Sequence, residues 1–272
     1  MRHEDAPSNG RYSFHFYLHT KAITMGLCVS KSGSSYAPSN ASPCHSPRAA
    51  RSSSASASAF NRGDDWETVA QALHNPANDP RIDDVIASLA QLYPHSATLR
   101  RTLATVAQQG GVSLYAVHDG DLANAFGHAE TTPETRTIRI GEKALSNLHD
   151  SFYHRLNTCL IELTNLAQAE AFRRVRRSFM AGQMGIESAA HETERTEYGT
   201  IERMMTYYQE ASEEIAQLGY GNPFQWYMIP DPDTQCLRPA YASFDDYFAN
   251  AQRTGHTDSY IQSYTALAKR YR

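Results

Sequence analysis

The chain has 272 residues, of which 41% are hydrophobic and 20% charged, so it has enough apolar residues for a sizeable folded core. Its formal net charge is -4 and its acids and bases are interspersed, which excludes the basic stripe that nucleic-acid binding requires. No apolar run approaches the roughly 18 to 20 residues of a membrane-spanning helix. We therefore predict no nucleic-acid partner, no transmembrane helix and no secretory signal peptide.

The N-terminal quarter of the chain differs in composition from the rest. Residues 26–63 are rich in Ser, Ala and Pro and contain no Asp or Glu. Such a segment cannot bury enough apolar surface to offset the entropy lost on ordering, so we predict that it is disordered. Residues 1–24 show no periodic pattern, and we expect translation to begin at Met25. The sequence thus predicts a leader over residues 1–63 and a single globular domain over residues 64–272.

The leader contains a lipidation pattern, M-G-L-C-V-S, at residues 25–30. With Met25 as the first residue, Gly26 occupies the acceptor position of the N-myristoylation pattern M-G-x-x-x-[ST]. One myristoyl chain holds a protein on a membrane only marginally, at roughly 10⁴ M⁻¹, whereas two acyl chains hold it stably. Cys28 is the candidate for the second chain, a palmitate.

The M-G-L-C-V-S segment, followed by a Ser-rich leader, resembles the N-termini of type III secretion effectors of plant-pathogenic bacteria. The resemblance covers the leader alone. It implies that the bacterial secretion machinery delivers the protein into a plant cell, where host enzymes acylate it at the plasma membrane. There we expect it to bind a host protein and interfere with it.

The start of the globular domain is predicted to be a small helical subdomain over residues 64–110. Asp64 and Asp65 suit a helix N-terminus, Pro80 suits the first turn of a second helix, and Ser96 can cap a third. Residues 112–118 and 135–141 then alternate like strands, and residues 124–128 are a possible return strand. We predict a small antiparallel sheet over residues 112–141.

Residues 146–272 are predicted to be mainly helical. One helix covers residues 148–174 and ends in a basic turn at residues 173–177, and one or two more cover residues 187–218. The aromatic loop at residues 219–233 is expected to pack back on the domain. Ser243 and Thr257 are predicted to cap the N-termini of two further helices. The fold class is therefore α+β, mostly helical, with a small antiparallel sheet behind a disordered leader.

Two enzymatic alternatives remain open, and the first concerns Glu162. The sequence I-E-L-T-N around it is similar in frame to the H-E-x-x-H helix of zincin metallopeptidases, where two histidines bind zinc and the glutamate is the general base. Ile161 and Asn165 stand at the histidine positions here. The resemblance implies a zincin-like domain without its zinc, in which Glu162 is the remaining catalytic candidate and Glu194 or Glu197 stands where a third ligand would be.

The alternative interpretation of that segment is an ordinary amphipathic helix. Glu162 and Asn165, three residues apart, would then make capping or inter-helix hydrogen bonds. We predict neither a metal nor a cofactor for this chain.

The second enzymatic alternative uses Cys159 as nucleophile, His191 as base and Asp231 or Asp233 as its orienting partner, as in cysteine hydrolases and transglutaminases. Some acylated effectors of plant pathogens carry such domains. However, Cys159 lies inside a predicted helix on its apolar stripe, whereas catalytic thiols usually lie at helix N-termini. This position favours a buried structural thiol, and the charged neighbours of His191 favour a solvated helix face.

Overall fold

The computed structural model describes residues 66–122, 128–146 and 153–271. The lipidation candidates Gly26 and Cys28, and residues 124–127 of the possible return strand, lie outside these ranges. The described chain is mostly helical with two small sheets, which confirms the α+β class. None of its helices is both long enough and apolar enough to cross a bilayer.

Helices begin the described chain, with bounds α1 (Trp66–Gln71), α2 (Pro80–Leu92) and α3 (Ala97–Gln108). Pro80 takes the first position of α2, and Asp79 caps it by accepting a hydrogen bond from the Arg81 NH at 2.9 Å. Ser96 caps α3 by accepting one from the Leu99 NH at 3.0 Å. Both helix starts were predictable because each depends on residues adjacent in sequence.

The first sheet contains β1 (Leu73–His74), β2 (Val112–Val117), β3 (Ala129–Thr132) and β4 (Thr137–Gly141), in the order β1-β2-β4-β3. Strands β1 and β4 run parallel to β2, and only β3 and β4 pair antiparallel. The predicted antiparallel sheet over residues 112–141 is therefore mixed. After β2 the chain passes to the outer edge of the sheet, forms β3 there, and returns as β4 into the space beside β2.

A glycine makes the junction of α3 with this sheet possible. Gly111 has a φ of +75°, and a Cβ at this position would lie 2.6 Å from the carbonyl oxygen of Ala72. That oxygen accepts the hydrogen bond from the Val112 NH at 2.8 Å. Glycine is therefore required both by its left-handed backbone and by the close approach of Ala72, the residue before β1.

The central helices are α4 (Glu142–Ser146), α5 (Arg155–Ala167), α6 (Ala169–Met180) and α7 (Ile186–Gln217). The helix predicted over residues 148–174 is divided at Gln168, whose φ/ψ of -96° and 7° end α5. The predicted basic turn at residues 173–177 is wrong, because this segment has no Gly or Pro and its arginines continue α6. Helix α7 covers the segment that was predicted to form one or two helices, and it contains one non-helical residue, Ala211, at a kink.

Helix α5 occupies the centre of the domain. Every residue from position 156 to position 166 is buried. The helix packs against α2, α3, α4, α6 and α7, and also against the two adjacent strands β3 and β4. Because it is buried on all sides, its polar residues must find partners inside the protein.

The C-terminal region contains β5 (Met228–Pro230), β6 (Leu237–Pro239), α8 (Phe244–Thr254) and α9 (His256–Tyr271). Trp226 is fully buried, so the aromatic loop packs on the domain as predicted. Ser243 caps α8, also as predicted, by accepting a hydrogen bond from the Asp246 NH at 3.3 Å. Thr257 does not cap α9, because the helix already begins at His256 and the threonine hydroxyl points to a buried glutamate.

Candidate functional site

Helices α5, α7, α8 and α9 contribute a group of buried ionisable side chains, one of which bonds to the edge strand β3. We call this group the acid–histidine cluster, and it consists of Glu162, Glu194, Glu197, Tyr247, His256 and Tyr260. Its three glutamates are between 0% and 3% exposed. Among the described residues, no Lys or Arg forms an ion pair with any of these glutamates. Buried carboxylates without a Lys or Arg partner are rare, which makes this cluster the candidate site.

Helix geometry brings the cluster together. Glu194 and Glu197 are three residues apart on α7 and therefore lie on the same face of that helix. Gly255 ends α8 with a φ of 76°, and α9 begins at the next residue, His256. This tight junction places the histidine against α7 rather than in a loop.

Glu194 is held by three donors. Its Oε1 accepts hydrogen bonds from His256 Nδ1 at 2.9 Å and from the Thr257 hydroxyl at 2.8 Å. Its Oε2 accepts one from the Tyr247 hydroxyl at 2.9 Å. Each oxygen is therefore satisfied, and the carboxylate is fixed in place.

Glu197 has one satisfied oxygen and one that faces the histidine. The Tyr260 hydroxyl donates a hydrogen bond to its Oε1. Its Oε2 lies 3.6 Å from His256 Nε2, which is longer than a hydrogen bond. Within the part of the chain that the structure describes, this oxygen accepts no hydrogen bond.

Glu162 approaches the same region from α5. The Thr131 hydroxyl of strand β3 donates a hydrogen bond to its Oε2. Glu162 also lies close enough to Glu197 for the two charges to repel each other. The edge strand, the central helix and α7 thus each contribute a polar side chain to one interior region.

Burial determines the protonation of the cluster. It raises the pKa of Glu162 to about 8, helped by the charge of Glu197 and opposed by the hydrogen bond from Thr131. Burial likewise raises the pKa of Glu197 to about 7, against the opposing charge of His256. Burial lowers the pKa of His256, but the hydrogen bond to Glu194 and the negative charges of Glu197 and Glu194 together outweigh burial, and the net pKa lies above its ordinary value. Groups that titrate near neutral pH can take up and release protons, as acid–base chemistry requires.

Comparison of the chain with models of protein families, with characterised proteins and with solved structures found no match.

The residues on α5 differ from those of a zincin at both histidine positions. Helix α5 packs against the edge strand β3, and Glu197 on the following long helix faces Glu162. Of the two positions that would hold histidines, Ile161 is buried in the core, and Asn165 accepts a hydrogen bond from the Thr200 hydroxyl at 2.6 Å. Asn165 therefore makes an inter-helix bond between α5 and α7, whereas Glu162 bonds to a strand.

Cys159 is fully buried in the middle of α5. Burial raises the pKa of its thiol to about 12, and the charge of Glu162 one turn away acts in the same direction. A nucleophilic cysteine requires the opposite shift, because the thiolate is the reactive form.

His191 and the aspartates have other partners. His191 lies in the first part of α7, within 3.2 Å of Glu192 and against aromatic rings of α8. Asp231 accepts hydrogen bonds from the backbone NH groups of Asp233 and Thr234 in the turn after β5. No hydrogen bond joins Cys159, His191 or these aspartates to one another among the described residues.

Sequence reasoning missed His256, Tyr247 and Tyr260 as members of the site. His256 and Glu194 are 62 positions apart, and no local pattern reports such a contact. Tyr260 has the spacing of a buried face on α9, which predicts packing rather than a polar contact. The available signal was a histidine directly after a helix-ending glycine, which predicts a residue close to a helix junction but not its partner.

Proposed function

We propose that the protein is a type III effector of a plant-pathogenic bacterium, attached to the host plasma membrane by acyl chains on Gly26 and Cys28. In this proposal it interferes there with a host protein. The observation that carries it is the M-G-L-C-V-S pattern at residues 25–30 ahead of an acid-free, Ser-rich leader. A bacterium has little use for a eukaryotic acylation signal in its own cytoplasm, so the pattern favours action inside a host cell.

Helix α6 adds support for membrane attachment, since its outer face is basic. The helix carries four arginines and one glutamate. Its opposite face buries Phe172, Val175 and Phe179 in the domain. Arg173 and Arg177 pair with the single acid of this helix, Glu170, at 3.7 and 2.5 Å, and Arg176 lies near Glu134 of an earlier loop, so the helix itself has more arginines than acids.

The C-terminal end of α9 extends this surface. Phe179 of α6 packs against Tyr264 of α9 at 4.9 Å between ring centroids, and the last turn of α9 adds Lys269 and Arg270. Met180 and Tyr271, which end the two helices, are 38% and 39% exposed. Basic residues near an anionic leaflet contribute about 1 kcal/mol each, and exposed apolar side chains can enter the headgroup region. We call this surface the α6–α9 face, and it fits an anionic membrane as the second signal beside an acyl chain.

The test is localisation in a plant cell. The chain starting at Met25, with a C-terminal fluorescent tag, should be found at the plasma membrane, and Gly26→Ala should release it into the soluble fraction. Gly33→Ala, in the same leader but outside the pattern, is the matched control and should remain bound. Equal solubility of the wild-type chain and Gly26→Ala would refute membrane anchoring by myristate.

An enzymatic function that uses Glu162 is the second candidate. It is favoured by one observation, the buried carboxyl of Glu162, which bonds to Thr131, lies near Glu197 and has a pKa raised to about 8. In the host assay, Glu162→Gln should abolish the phenotype while membrane localisation and the far-UV circular dichroism spectrum are retained. Cys159→Ala in the same assay tests the hydrolase alternative. A phenotype that persists in both variants would leave binding alone as the mode of action.

A further inference from the structure

We propose that Glu197 and His256 bind a divalent transition-metal ion, and that Glu194 orients the histidine for it. The inference stands on the geometry of the acid–histidine cluster and is independent of the acylation of the leader. Glu194, Glu197 and His256 each offer one ligand atom, and these atoms lie within 4.8 Å of one another.

The distance between the two proposed ligand atoms fits a shared ion. Glu197 Oε2 and His256 Nε2 are 3.6 Å apart. Two ligands of a tetrahedral ion with bonds of about 2.1 Å lie about 3.4 Å from each other. The observed separation is too long for a direct hydrogen bond and close to the separation that a shared ion would give.

One oxygen of Glu197 is open to a further ligand. Glu197 is 3% exposed, and its Oε2 accepts no hydrogen bond from any residue in the described ranges, yet it is not among the fully shielded atoms that lack a partner. A carboxylate oxygen in this position can be approached by water or by a cation. The nitrogen of His256 that faces it carries a lone pair when the other nitrogen holds the proton.

The hydrogen bond between His256 and Glu194 is the kind that supports a metal-binding histidine. His256 Nδ1 lies 2.9 Å from Glu194 Oε1 and 3.0 Å from Oε2, so it is the nitrogen that carries the proton. A histidine that binds a metal through Nε2 usually donates its Nδ1 proton to a carboxylate, which fixes the ring and increases its basicity. Thr257 and Tyr247 in turn fix Glu194, so the support extends to a second set of residues.

The charge balance also favours a cation. Three buried glutamates, Glu162, Glu194 and Glu197, have one histidine among them and no Lys or Arg ion pair in the described chain. Without an ion, burial favours protonated glutamates; a divalent ion beside them favours their ionised forms and supplies the positive charge that these forms require. His256 keeps 12% of its side chain exposed, which gives an ion a route from solvent.

The ligand types indicate the class of ion. An imidazole nitrogen with carboxylate oxygens suits Zn²⁺, Mn²⁺ and related ions, whereas Mg²⁺ and Ca²⁺ prefer all-oxygen sites. With two protein ligands from α7 and α9, the remaining coordination positions go to water or to a substrate. The sequence predicts no metal because Ile161 and Asn165 stand where α5 would need histidines, whereas the ligands proposed here lie on α7 and α9.

The test measures zinc binding to the full chain after treatment with a chelator and a thiol reductant. One equivalent of Zn²⁺ should bind in competition with a chromophoric chelator and should raise the melting temperature. His256→Gln and Glu197→Gln should each weaken binding by about 100-fold or more, and Glu194→Gln by about 10- to 100-fold. His95→Gln is the matched control, since His95 also pairs with a glutamate, at 2.8 Å, but lacks a third ligand.

Equal zinc affinity in the wild-type chain and in folded His256→Gln would overturn the proposal, because any bound ion would then lie elsewhere. If the variants do not fold, crystals of the wild-type chain grown with Zn²⁺ decide the question. The anomalous difference map should show a peak about 2.1 Å from His256 Nε2. Zinc peaks only at other positions, with His256 bridging the two glutamates as an imidazolium, would refute the site.

Discussion

Replacement of Glu162 by glutamine tests the electrostatics of the acid–histidine cluster in the metal-free protein. Burial raises the pKa of this carboxyl to about 8 from an ordinary value of 4.5. Glutamine has the shape of the protonated acid, and its carbonyl oxygen can accept the hydrogen bond from Thr131. Glu162→Gln should therefore mimic the neutral folded form and remove the cost of ionisation.

The direction in which stability changes with pH follows from proton linkage. Between pH 4.5 and 8 the folded chain holds a proton on Glu162 that the unfolded chain has lost, so the free energy of unfolding falls as pH rises through this range. A difference of about 3.5 pKa units corresponds to about 5 kcal/mol, at 1.36 kcal/mol per unit. For a domain of this size, that is a melting-temperature difference of about 10 °C or more.

The assay is thermal and urea unfolding at pH 4.5 and at pH 8, with a chelator present. At pH 4.5 the wild-type chain and Glu162→Gln should agree within about 1 kcal/mol, whereas at pH 8 the variant should be several kcal/mol more stable. Glu202→Gln changes an exposed glutamate on α7 and should follow the wild-type curve at both pH values. Parallel pH curves for Glu162→Gln and wild type would refute the raised pKa.

Two further predictions concern other parts of the domain. Glu210 of α7 accepts hydrogen bonds from Ser96 Oγ at 2.6 Å and from the Thr98 NH at 2.9 Å, and although burial raises its pKa, these bonds outweigh it and the net pKa is lowered. Glu210→Gln should therefore cost about 1 to 2 kcal/mol in urea unfolding at pH 7, and the loss should disappear as pH falls through the lowered pKa. On the α6–α9 face, Arg174→Glu should reduce co-sedimentation with phosphatidylserine vesicles, whereas Arg253→Glu on α8 should not, and equal binding of the two would contradict an oriented basic face.

The elements that could be predicted from sequence are those whose signals are local. Pro80, Ser96, Ser243 and Gly255 each mark a helix boundary through bonds within a few residues, and the structure has boundaries at all four. The absence of proline similarly predicted one or two helices in the segment that forms α7. Local signals also misled where an extra cap was assigned, because the hydroxyl of Thr257 bonds to Glu194 instead.

The elements that could not be predicted depend on contacts distant in sequence. The order of β2, β4 and β3 is set by a crossover whose direction no turn residue specifies. Helix α5 is buried on every side, so its apolar periodicity carries no information about which neighbour each face meets. In the acid–histidine cluster, Glu162 has neighbours on β3 and α7, and Glu194 has partners on α8 and α9. Polar contacts of this kind produce no periodic pattern in the sequence.

The stability cost of the acid–histidine cluster is itself an argument about its role. The free energy of unfolding of a domain is typically only about 5 to 15 kcal/mol. The buried carboxyl of Glu162 opposes folding at neutral pH by several kcal/mol and so cancels a large part of that stability. Apolar side chains of similar volume usually fill such positions without loss, since buried charged groups seldom outperform them in stability. Three glutamates, a histidine and two tyrosines in one interior region are therefore poorly explained by packing alone. Binding of a cation or proton transfer explains the same residues, because each needs buried charges that a stable core does not.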